Sequence, residues 1–255
     1  MSIFLSQRRR ISTWLESSSF GIIVGLFHLF STEFTLSSFS CFGCIASFKN
    51  QSFVFTVVLT GNVLYGGSSN GEIRAWRLDC SEQGDRTDSI VAVCRSAVKS
   101  MVVLGDKLFS AHHDNKIRVW RILNQVLHRK YKCLATLPTL NDRFLRCLSV
   151  KNYIQVRRHK KSTWIHHVDN VSGLAILTDC SLLYSASWDR TFKIWRTSNF
   201  KCLESVQNAH DDAINAIVLS KDGFVQTGST DRRIKVWKKK HAGGKEEQTF
   251  AGFNT

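Results

Sequence analysis

One short unit occurs four times along this chain, and it constrains the fold more than any other feature of the sequence. In each copy a run of mainly small residues leads to Asp or Asn, and an apolar–basic–apolar triplet then ends at a Trp. Alternation of this kind is typical of a half-buried strand, and Asp or Asn favours a tight turn before it. The four copies are Tyr65–Trp76 (YGGSSNGEIRAW), Phe109–Trp120 (FSAHHDNKIRVW), Tyr184–Trp195 (YSASWDRTFKIW) and Gln226–Trp237 (QTGSTDRRIKVW). The sequence therefore predicts a strand–turn–strand unit in four copies.

The spacing of the copies indicates the larger structure that they form. Their tryptophans lie 44, 75 and 42 residues apart, and a repeat of roughly 40–45 residues is the period of a four-stranded propeller blade. Apolar runs upstream of the later turns predict an inner strand for each blade, at Val98–Leu104, Val171–Leu177 and Ile214–Leu219. Runs downstream of a Trp predict outer strands at Ile90–Cys94, Lys132–Leu137 and Lys201–Val206. Each copy thus becomes the centre of one blade.

These repeats resemble the WD40 family over residues 54–240. The later repeats, with the insert described below, are similar to plant WD40 proteins of the JINGUBANG type. The resemblance implies an all-β fold, a WD40 β-propeller of which about four blades are recognisable. We expect these blades to be a fragment of a seven-bladed ring, with a complete four-bladed ring as the alternative, since propellers have roughly four to eight blades. On this expectation residues 241–255 form a truncated C-terminal tail.

The resemblance also implies a polar tetrad of His, Asp, Ser or Thr, and Trp in each blade. In the last two repeats the matching residues are His167, Asp189, Ser185 and Trp195, and His210, Asp231, Thr227 and Trp237. The first repeat departs from this pattern, with Gly66 and Asn70 in place of the hydroxyl and the acid. The second has Ser110 and Asp114 but no upstream His. We therefore expect the first two blades to be held less tightly.

A set of His, Asp and Ser also invites comparison with a catalytic triad. A buried imidazole needs a partner for each nitrogen, and a turn carboxylate with a strand hydroxyl supplies both. The set recurs once per repeat, as scaffolding does and active sites do not. The sequence contains no Gly-rich phosphate loop and no nucleophile motif. We therefore predict no catalytic residues, no cofactor and no enzymatic activity.

Residues 1–53 do not belong to the repeats. They are rich in Ser and Phe, and they place Arg8–Arg10 ahead of an apolar run at Phe20–Phe30. Three interpretations stay open, namely a disordered or non-native segment, a targeting segment and a structural element. The apolar run is shorter than the about 20 residues that a membrane helix needs, so we expect no stable membrane span.

The eight cysteines are scattered without a disulfide-like spacing. Free thiols in a reducing compartment fit this pattern, which indicates a cytoplasmic protein, with the nucleus as the alternative because of the short basic runs. Cys41 and Cys44 form the only C-x-x-C. A zinc site needs further ligands, so we predict no metal.

Positive charge is concentrated between the second and third repeats. Comparison with the last repeat shows about 26 excess residues there, and we assign 138–165 as an insert in one outer-to-inner connection. Arg121–Lys161 holds eleven Lys or Arg residues and one acid, Asp142, which is +10 of the net +15 of the chain. Asn152–Val156 and Ser162–Ile165 flank the densest basic run and predict a small hairpin. Such a surface attracts nucleic acid, anionic lipid or acidic protein.

These features favour a non-catalytic scaffold that mediates protein–protein interactions. We expect the turn tips and the insert to share one end of the propeller, and an acidic or phosphorylated protein to bind there. The alternatives are a nucleic-acid-binding module that uses the insert, and a merely solvated loop. The resemblance implies a regulatory role in a plant cell, in connection with pollen germination. The candidate partner-binding residues are Trp188, Arg190, His113 and Arg232 on the turn tips, and Arg157, Arg158, Lys160, Lys161, Tyr153 and Trp164 in the insert.

Overall fold

A computed structural model describes residues 47–78, 88–124, 129–147, 153–157, 160–240 and 249–253. In this part of the chain the strands form four antiparallel sheets of four strands each and one separate hairpin. Each sheet is a simple meander in which consecutive strands are neighbours. The four sheets are the blades that the repeat period predicts. No helix among the described residues is long and apolar enough to cross a membrane.

The blades follow one another along the chain. The first two comprise β1 (Val54–Thr60), β2 (Val63–Ser68), β3 (Glu72–Arg77) and β4 (Asp88–Val93), then β5 (Val98–Leu104), β6 (Lys107–His112), β7 (Ile117–Asn124) and β8 (Arg129–Leu137). The insert contains a helix, α1 (Leu140–Cys147), and the hairpin strands β9 (Tyr153–Arg157) and β10 (Lys160–Thr163). The last two blades comprise β11 (Val171–Ile176), β12 (Leu182–Ser187), β13 (Phe192–Arg196) and β14 (Cys202–Val206), then β15 (Ile214–Leu219), β16 (Val225–Ser229), β17 (Ile234–Lys240) and β18 (Thr249–Phe253).

The inner strands lie side by side in the order β1, β5, β11, β15. Between neighbouring blades the facing side chains form three apolar clusters. In the cluster between the last two blades, for example, Phe192 packs with Ile214 and Ile217. Burying one large apolar side chain contributes about 1.5–3 kcal/mol, so the contacts between blades hold the arrangement together.

One end of the propeller carries the turns between the second and third strands of each blade, and we call it the turn end. In every blade the residue after the Asp or Asn has a left-handed backbone, with φ of 85° at Gly71, 65° at Asn115, 67° at Arg190 and 66° at Arg232. A Cβ at Gly71 would overlap the carbonyl oxygen of Cys94, so the first blade requires glycine there. The other three turns tolerate a side chain and project it from this end.

The structure differs from the sequence expectations in two elements. The residues assigned to a C-terminal tail include β18, which pairs with β17 and gives the fourth blade its outer strand. The insert contains the expected hairpin, but α1 was not predicted. Thr139 caps this helix, because its hydroxyl accepts a hydrogen bond from the Asp142 amide at 3.2 Å. A short helix with a single capping signal has too little periodicity to be recognised in sequence.

The sequence predicts that the insert shares the turn end with the turn tips. Part of the insert lies elsewhere. The carboxylate of Asp142 is buried and accepts a hydrogen bond from the amide of Cys202 at 3.0 Å. Cys202 begins β14, which runs antiparallel to β13 back toward the turn end, so its amide lies at the opposite end of the third blade. This hydrogen bond therefore pairs the first amide of an outer strand, and unpaired groups on such an edge otherwise favour pairing with other chains.

Candidate interaction surface at the turn end

A chain of hydrogen bonds connects the Trp of the third blade to its turn. The indole Nε1 of Trp195 donates to Ser185 Oγ at 2.8 Å, and Ser185 Oγ lies 2.8 Å from His167 Nε2. His167 Nδ1 in turn lies 2.9 Å from Asp189 Oδ2. Since an indole can only donate, the hydroxyl donates onward to Nε2 and the imidazole donates from Nδ1 to the carboxylate. The four residues of the proposed tetrad thus form one directed chain.

The electrostatics of this chain favour a neutral imidazole beside a carboxylate anion. Burial lowers the pKa of His167, although Asp189 opposes this shift. Burial alone would raise the pKa of Asp189, but His167, Lys193 and the hydrogen bonds that the carboxylate accepts hold it below its usual range. Asp189 also accepts hydrogen bonds from the Val168 and Thr191 amides. The carboxylate therefore closes the turn and fixes the preceding connection.

The fourth blade repeats the arrangement with a threonine. Trp237 Nε1 donates to Thr227 Oγ1 at 2.8 Å, which lies 2.8 Å from His210 Nε2. His210 Nδ1 lies 2.8 Å from Asp231. Burial opposes ionisation of Asp231, but the His210 hydrogen bond and two backbone amides lower its pKa to about 2. The last two blades therefore share one polar geometry.

The second blade obtains its imidazole from a position that sequence reasoning missed. Trp120 Nε1 donates to Ser110 Oγ at 2.8 Å, and that hydroxyl lies 2.8 Å from Nε2 of His112, two residues further along β6. His112 Nδ1 lies 3.2 Å from the carbonyl oxygen of Ser96. Burial, reinforced by Arg118, lowers the pKa of His112 to about 4. The second blade has no upstream His, as the sequence indicates, but a Ser-x-His pattern on one strand supplies the imidazole instead.

With its usual partner absent, the turn carboxylate of this blade has another role. Asp114 accepts two hydrogen bonds from the Arg118 guanidinium, at 3.1 and 2.5 Å. Burial would raise the pKa of Asp114, but the Arg118 hydrogen bonds and charge lower it. A bidentate pair of this kind fixes the turn as the imidazole does elsewhere.

The first blade has no such chain among its described residues. A Cβ at Gly66 would lie 2.6 Å from the Trp76 ring, so the indole occupies the space of the missing hydroxyl. Phe48 covers this Trp, with ring centroids 5.5 Å apart. In the turn, Ser68 donates to Asn70 at 2.7 Å and Asn70 accepts from the Glu72 amide. Apolar packing and an Asn turn thus replace the tetrad.

The burial of the hydroxyls shows whether these sets of His, Asp and Ser or Thr can act as catalytic triads. Ser110 and Ser185 are completely buried, and Thr227 is 1% exposed. A nucleophile must reach the substrate, and no substrate reaches these oxygens in the folded protein. In the part of the chain that the structure describes, no group of three His, Cys, Asp or Glu side chains is placed to hold a metal ion. Cys41 and Cys44 lie outside that part.

The turn tips place an aromatic side chain in solvent. Trp188, one residue before Asp189, is 40% exposed. Its ring meets His113 of the neighbouring turn edge to face, with centroids 6.5 Å apart. The amides of both residues donate to the carbonyls that precede the inner strands, from Trp188 to Asn170 and from His113 to Ala97. The two tips are therefore held by their backbones while their rings face outward.

Arg190 and Arg232 are exposed on the turns of the third and fourth blades. The Arg190 carbonyl accepts a hydrogen bond from the Ala209 amide at 2.9 Å, which fixes the backbone that carries the guanidinium. Exposed Arg95 and Lys116 add positive charge at this end, whereas exposed Asp169 and Asp212 add negative charge. The surface is thus mixed in charge, since these cations lie on the same end as exposed acids and as the turn carboxylates Asp114 and Asp189.

The residues predicted for the insert have different outcomes. Tyr153, Arg157, Lys160 and Lys161 lie on the paired strands β9 and β10, and Arg158 lies outside the described residues. Trp164 was expected to face a partner, but it is half-buried and packs against the core, because the chain re-enters the third blade there. Its carbonyl accepts a hydrogen bond from the buried amine of Lys193 at 2.7 Å. Trp164 is therefore an anchor of the insert.

Two of these repeats match a known family model, and parts of the chain are similar to known repeat proteins. The family model "WD domain, G-beta repeat" matches residues 158–196 and 200–238. Two uncharacterized WD repeat-containing proteins of Schizosaccharomyces pombe are similar, with 31% identity over 75 residues and 34% over 55 residues. These alignments cover 29% and 22% of this chain, and 14% and 15% of those proteins. The chain thus aligns with a small part of their length.

A solved structure agrees at the level of the fold. The RRP9 WD40 repeats superpose with a TM-score of 0.55 at 20% identity, over 81% of this chain and 52% of that one. The matched segments contain the tetrads of the third and fourth blades, and the two blades before them have the same four-stranded meander. Residues 158–196 and 200–238 therefore match WD40 repeats, and the described strands form a β-propeller arrangement of four blades.

Proposed function

We propose that this protein is a non-catalytic scaffold that binds a protein partner through its turn end. The observation that carries the proposal is the exposure of Trp188 on a turn whose backbone is fixed on both sides. A Trp at a turn tip that serves packing alone is expected to bury its ring against a neighbouring blade. This one leaves much of its ring in solvent and touches only the edge of His113 among the ring contacts of the described residues.

The rigidity of the turn makes such an anchor effective. The Asp189 carboxylate accepts hydrogen bonds from the His167 ring, the Val168 amide and the Thr191 amide. A partner that binds Trp188 therefore does not have to order the loop, and association loses less conformational entropy. Trp and Arg are the residues that most often dominate the free energy of protein interfaces. Trp188 with Arg190 forms such a pair.

The exposed arginines of the turns favour an acidic or phosphorylated partner. An arginine side chain can make bidentate contacts with carboxylate or phosphate, and neither Arg190 nor Arg232 has an ion-pair partner within the described residues. The basic hairpin of the insert, with Arg157, Lys160 and Lys161 on its strands, supplies further positive charge to the molecule. These groups complement an acidic segment that presents an apolar side chain to Trp188.

The cellular setting belongs to the same proposal. Cys94 and Cys202 are buried free thiols, and Cys133 and Cys180 are exposed ones, as is usual in a reducing compartment. We place the protein in the cytoplasm, with the nucleus as the second location. A regulatory role in a plant cell, in the manner of the JINGUBANG-type proteins, rests on the sequence resemblance described above.

The proposal is tested with peptides of defined chemistry. Fluorescently labelled acidic peptides that contain one aromatic or leucine residue, with and without phosphoserine, are titrated with the wild-type protein and with Trp188→Ala. We expect the substitution to weaken binding by roughly 30-fold, which corresponds to about 2 kcal/mol and is typical of an interface hot spot. Arg190→Glu should weaken binding of the phosphorylated peptide more than binding of the unphosphorylated one.

Phe144→Ala is the matched control, because Phe144 is an exposed aromatic residue on α1, away from the turn tips. It should leave the peptide affinity unchanged, and circular dichroism should show that all the variants are folded. Equal affinity of Trp188→Ala and wild-type protein for every peptide would remove Trp188 from the site. Single-stranded oligonucleotides in the same assay test the alternative function. Tight binding with a steep salt dependence, together with no peptide binding, would favour nucleic acid.

A further inference from the structure

The last blade exposes an apolar face that the other blades bury. Four residues occupy one position, because each begins or nearly begins a third strand and pairs with the small residue that is the last but one of the second strand. They are Ile73, Ile117, Phe192 and Ile234. The first three are at most 1% exposed, since the next blade covers them, whereas Ile234 is 71% exposed. The fourth blade therefore presents the side of a sheet that elsewhere receives a neighbour.

The first blade exposes the opposite side in the same way. Val54 stands where the other inner strands have Val98, Val171 and Ile214. Those three residues are fully buried, whereas Val54 is 38% exposed. Val57, at the position of Met101, is 49% exposed, and Met101 is 4% exposed. The face that packs against a preceding blade is thus uncovered in the first blade.

Within the molecule, neighbouring blades pack the face that Ile234 occupies in the fourth blade against the face that Val54 occupies in the first blade. The two exposed faces are therefore complementary. Between the first two blades, a Cβ on Gly67 would lie 2.6 Å from the Val98 side chain, so the small residue makes room for the valine. The corresponding residues on the exposed faces are Gly228 and Val54. The space over Gly228 is open, since the nearest atom to an added Cβ is Ala216 Cβ at 3.9 Å. A Val54 side chain from another molecule fits this space.

We propose that a second copy of this chain binds head to tail, with its first blade packed on the fourth blade of the other copy. One such contact leaves the fourth blade of one copy and the first blade of the other uncovered. These two blades then meet in a second, identical contact, which closes the pair. The closed pair has eight blades, which is within the range of roughly four to eight for propellers. Gln226 lies where the other blades carry Tyr65, Phe109 and Tyr184, so this contact is weaker than the internal ones. The pair therefore dissociates on dilution.

Sedimentation velocity of the full chain under reducing conditions tests the proposal. We expect a concentration-dependent equilibrium between a species of 29.0 kDa and one of twice that mass. Ile234→Asp and Val57→Asp should each weaken the pair by at least roughly tenfold, because each buries a charge in the contact. Leu140→Asp is the matched control, since Leu140 is 80% exposed on α1 and lies on neither face; it should leave the equilibrium unchanged.

Mixing the two face variants gives a further test of direction. A mixed pair of Ile234→Asp and Val57→Asp chains retains one unaltered contact, so the mixture should associate more tightly than either variant alone. Three results would overturn the proposal: a monomer at all concentrations, a dimer that neither substitution weakens, or a mass that continues to grow beyond two copies. Circular dichroism of each variant separates lost association from lost folding.

Discussion

At the scale of single residues, His112 shows how a repeat tolerates the loss of a standard position. Its imidazole meets Ser110 as the imidazoles of His167 and His210 meet their hydroxyls, but it comes from the strand itself and ends on a carbonyl. The spacing of Ser110 and His112 carries the signal, and only a search for an imidazole on either side of the hydroxyl would have found it. The pattern of the other blades predicts the His167 and His210 contacts by position alone. Alignment of the repeats cannot predict a contact whose imidazole comes from a different position in the blade, as in the case of His112.

The protonation of His112 leads to a pH prediction. Its pKa of about 4 in the folded protein lies below the ordinary value of 6.5, so the neutral ring stabilises the fold fully above pH 6.5. This contribution is lost as the pH falls from 6.5 through about 4, and it amounts to about 3 kcal/mol by the usual conversion. Urea unfolding of wild-type protein and His112→Phe should show a difference in the free energy of unfolding that narrows over this range. His113→Phe is the neighbouring exposed control, and an equally narrowing difference for it would contradict the assignment.

At the scale of elements, the blades were predictable and the insert was only partly so. The period-2 pattern that ends in Trp76, Trp120, Trp195 and Trp237 shows which residues of a strand face the core. Because this burial stabilises the strand, the pattern predicts it. The helix α1 depends instead on a tertiary contact, from Asp142 to the amide of Cys202. That contact joins residues 60 apart in sequence, and no local pattern encodes it. The basic charge of the insert also gave no indication that Trp164 re-enters the core.

The anchor of α1 leads to a prediction about local stability. Asp142→Ala removes the acceptor of the Cys202 amide and leaves a buried donor unpaired, which costs roughly 1–3 kcal/mol. The helix should then open more often than the blades unfold, so trypsin should cleave after Arg143 faster in the variant than in the wild type. The adjacent exposed Asn141→Ala is the control and should change the cleavage rate little. Identical cleavage of both variants would show that the carboxylate does not hold the helix.

At the scale of the whole molecule, stability depends on how many faces of each blade are covered. The second and third blades have neighbours on both sides, as the contacts of their inner strands show, whereas among the described residues the first and fourth blades have a neighbour on one side. In an array of repeats the free energy of unfolding is approximately a sum of terms for single repeats and for contacts between neighbours. The end blades therefore lack one contact term each. Association of two copies supplies it to both.

Hydrogen exchange measures this gradient strand by strand. In the dissociated Ile234→Asp variant, the amides of β6 and β12 in the middle blades should exchange more slowly than those of β2 and β16 in the end blades, because opening a middle blade breaks two contacts. Raising the concentration of wild-type protein should slow exchange in β2 and β16 selectively, since a second copy covers their faces. The Leu140→Asp control should behave as the wild type does. Equal protection of all four strands in the monomer would mean that the blades unfold as one unit, and that the uncovered faces carry no local cost in stability.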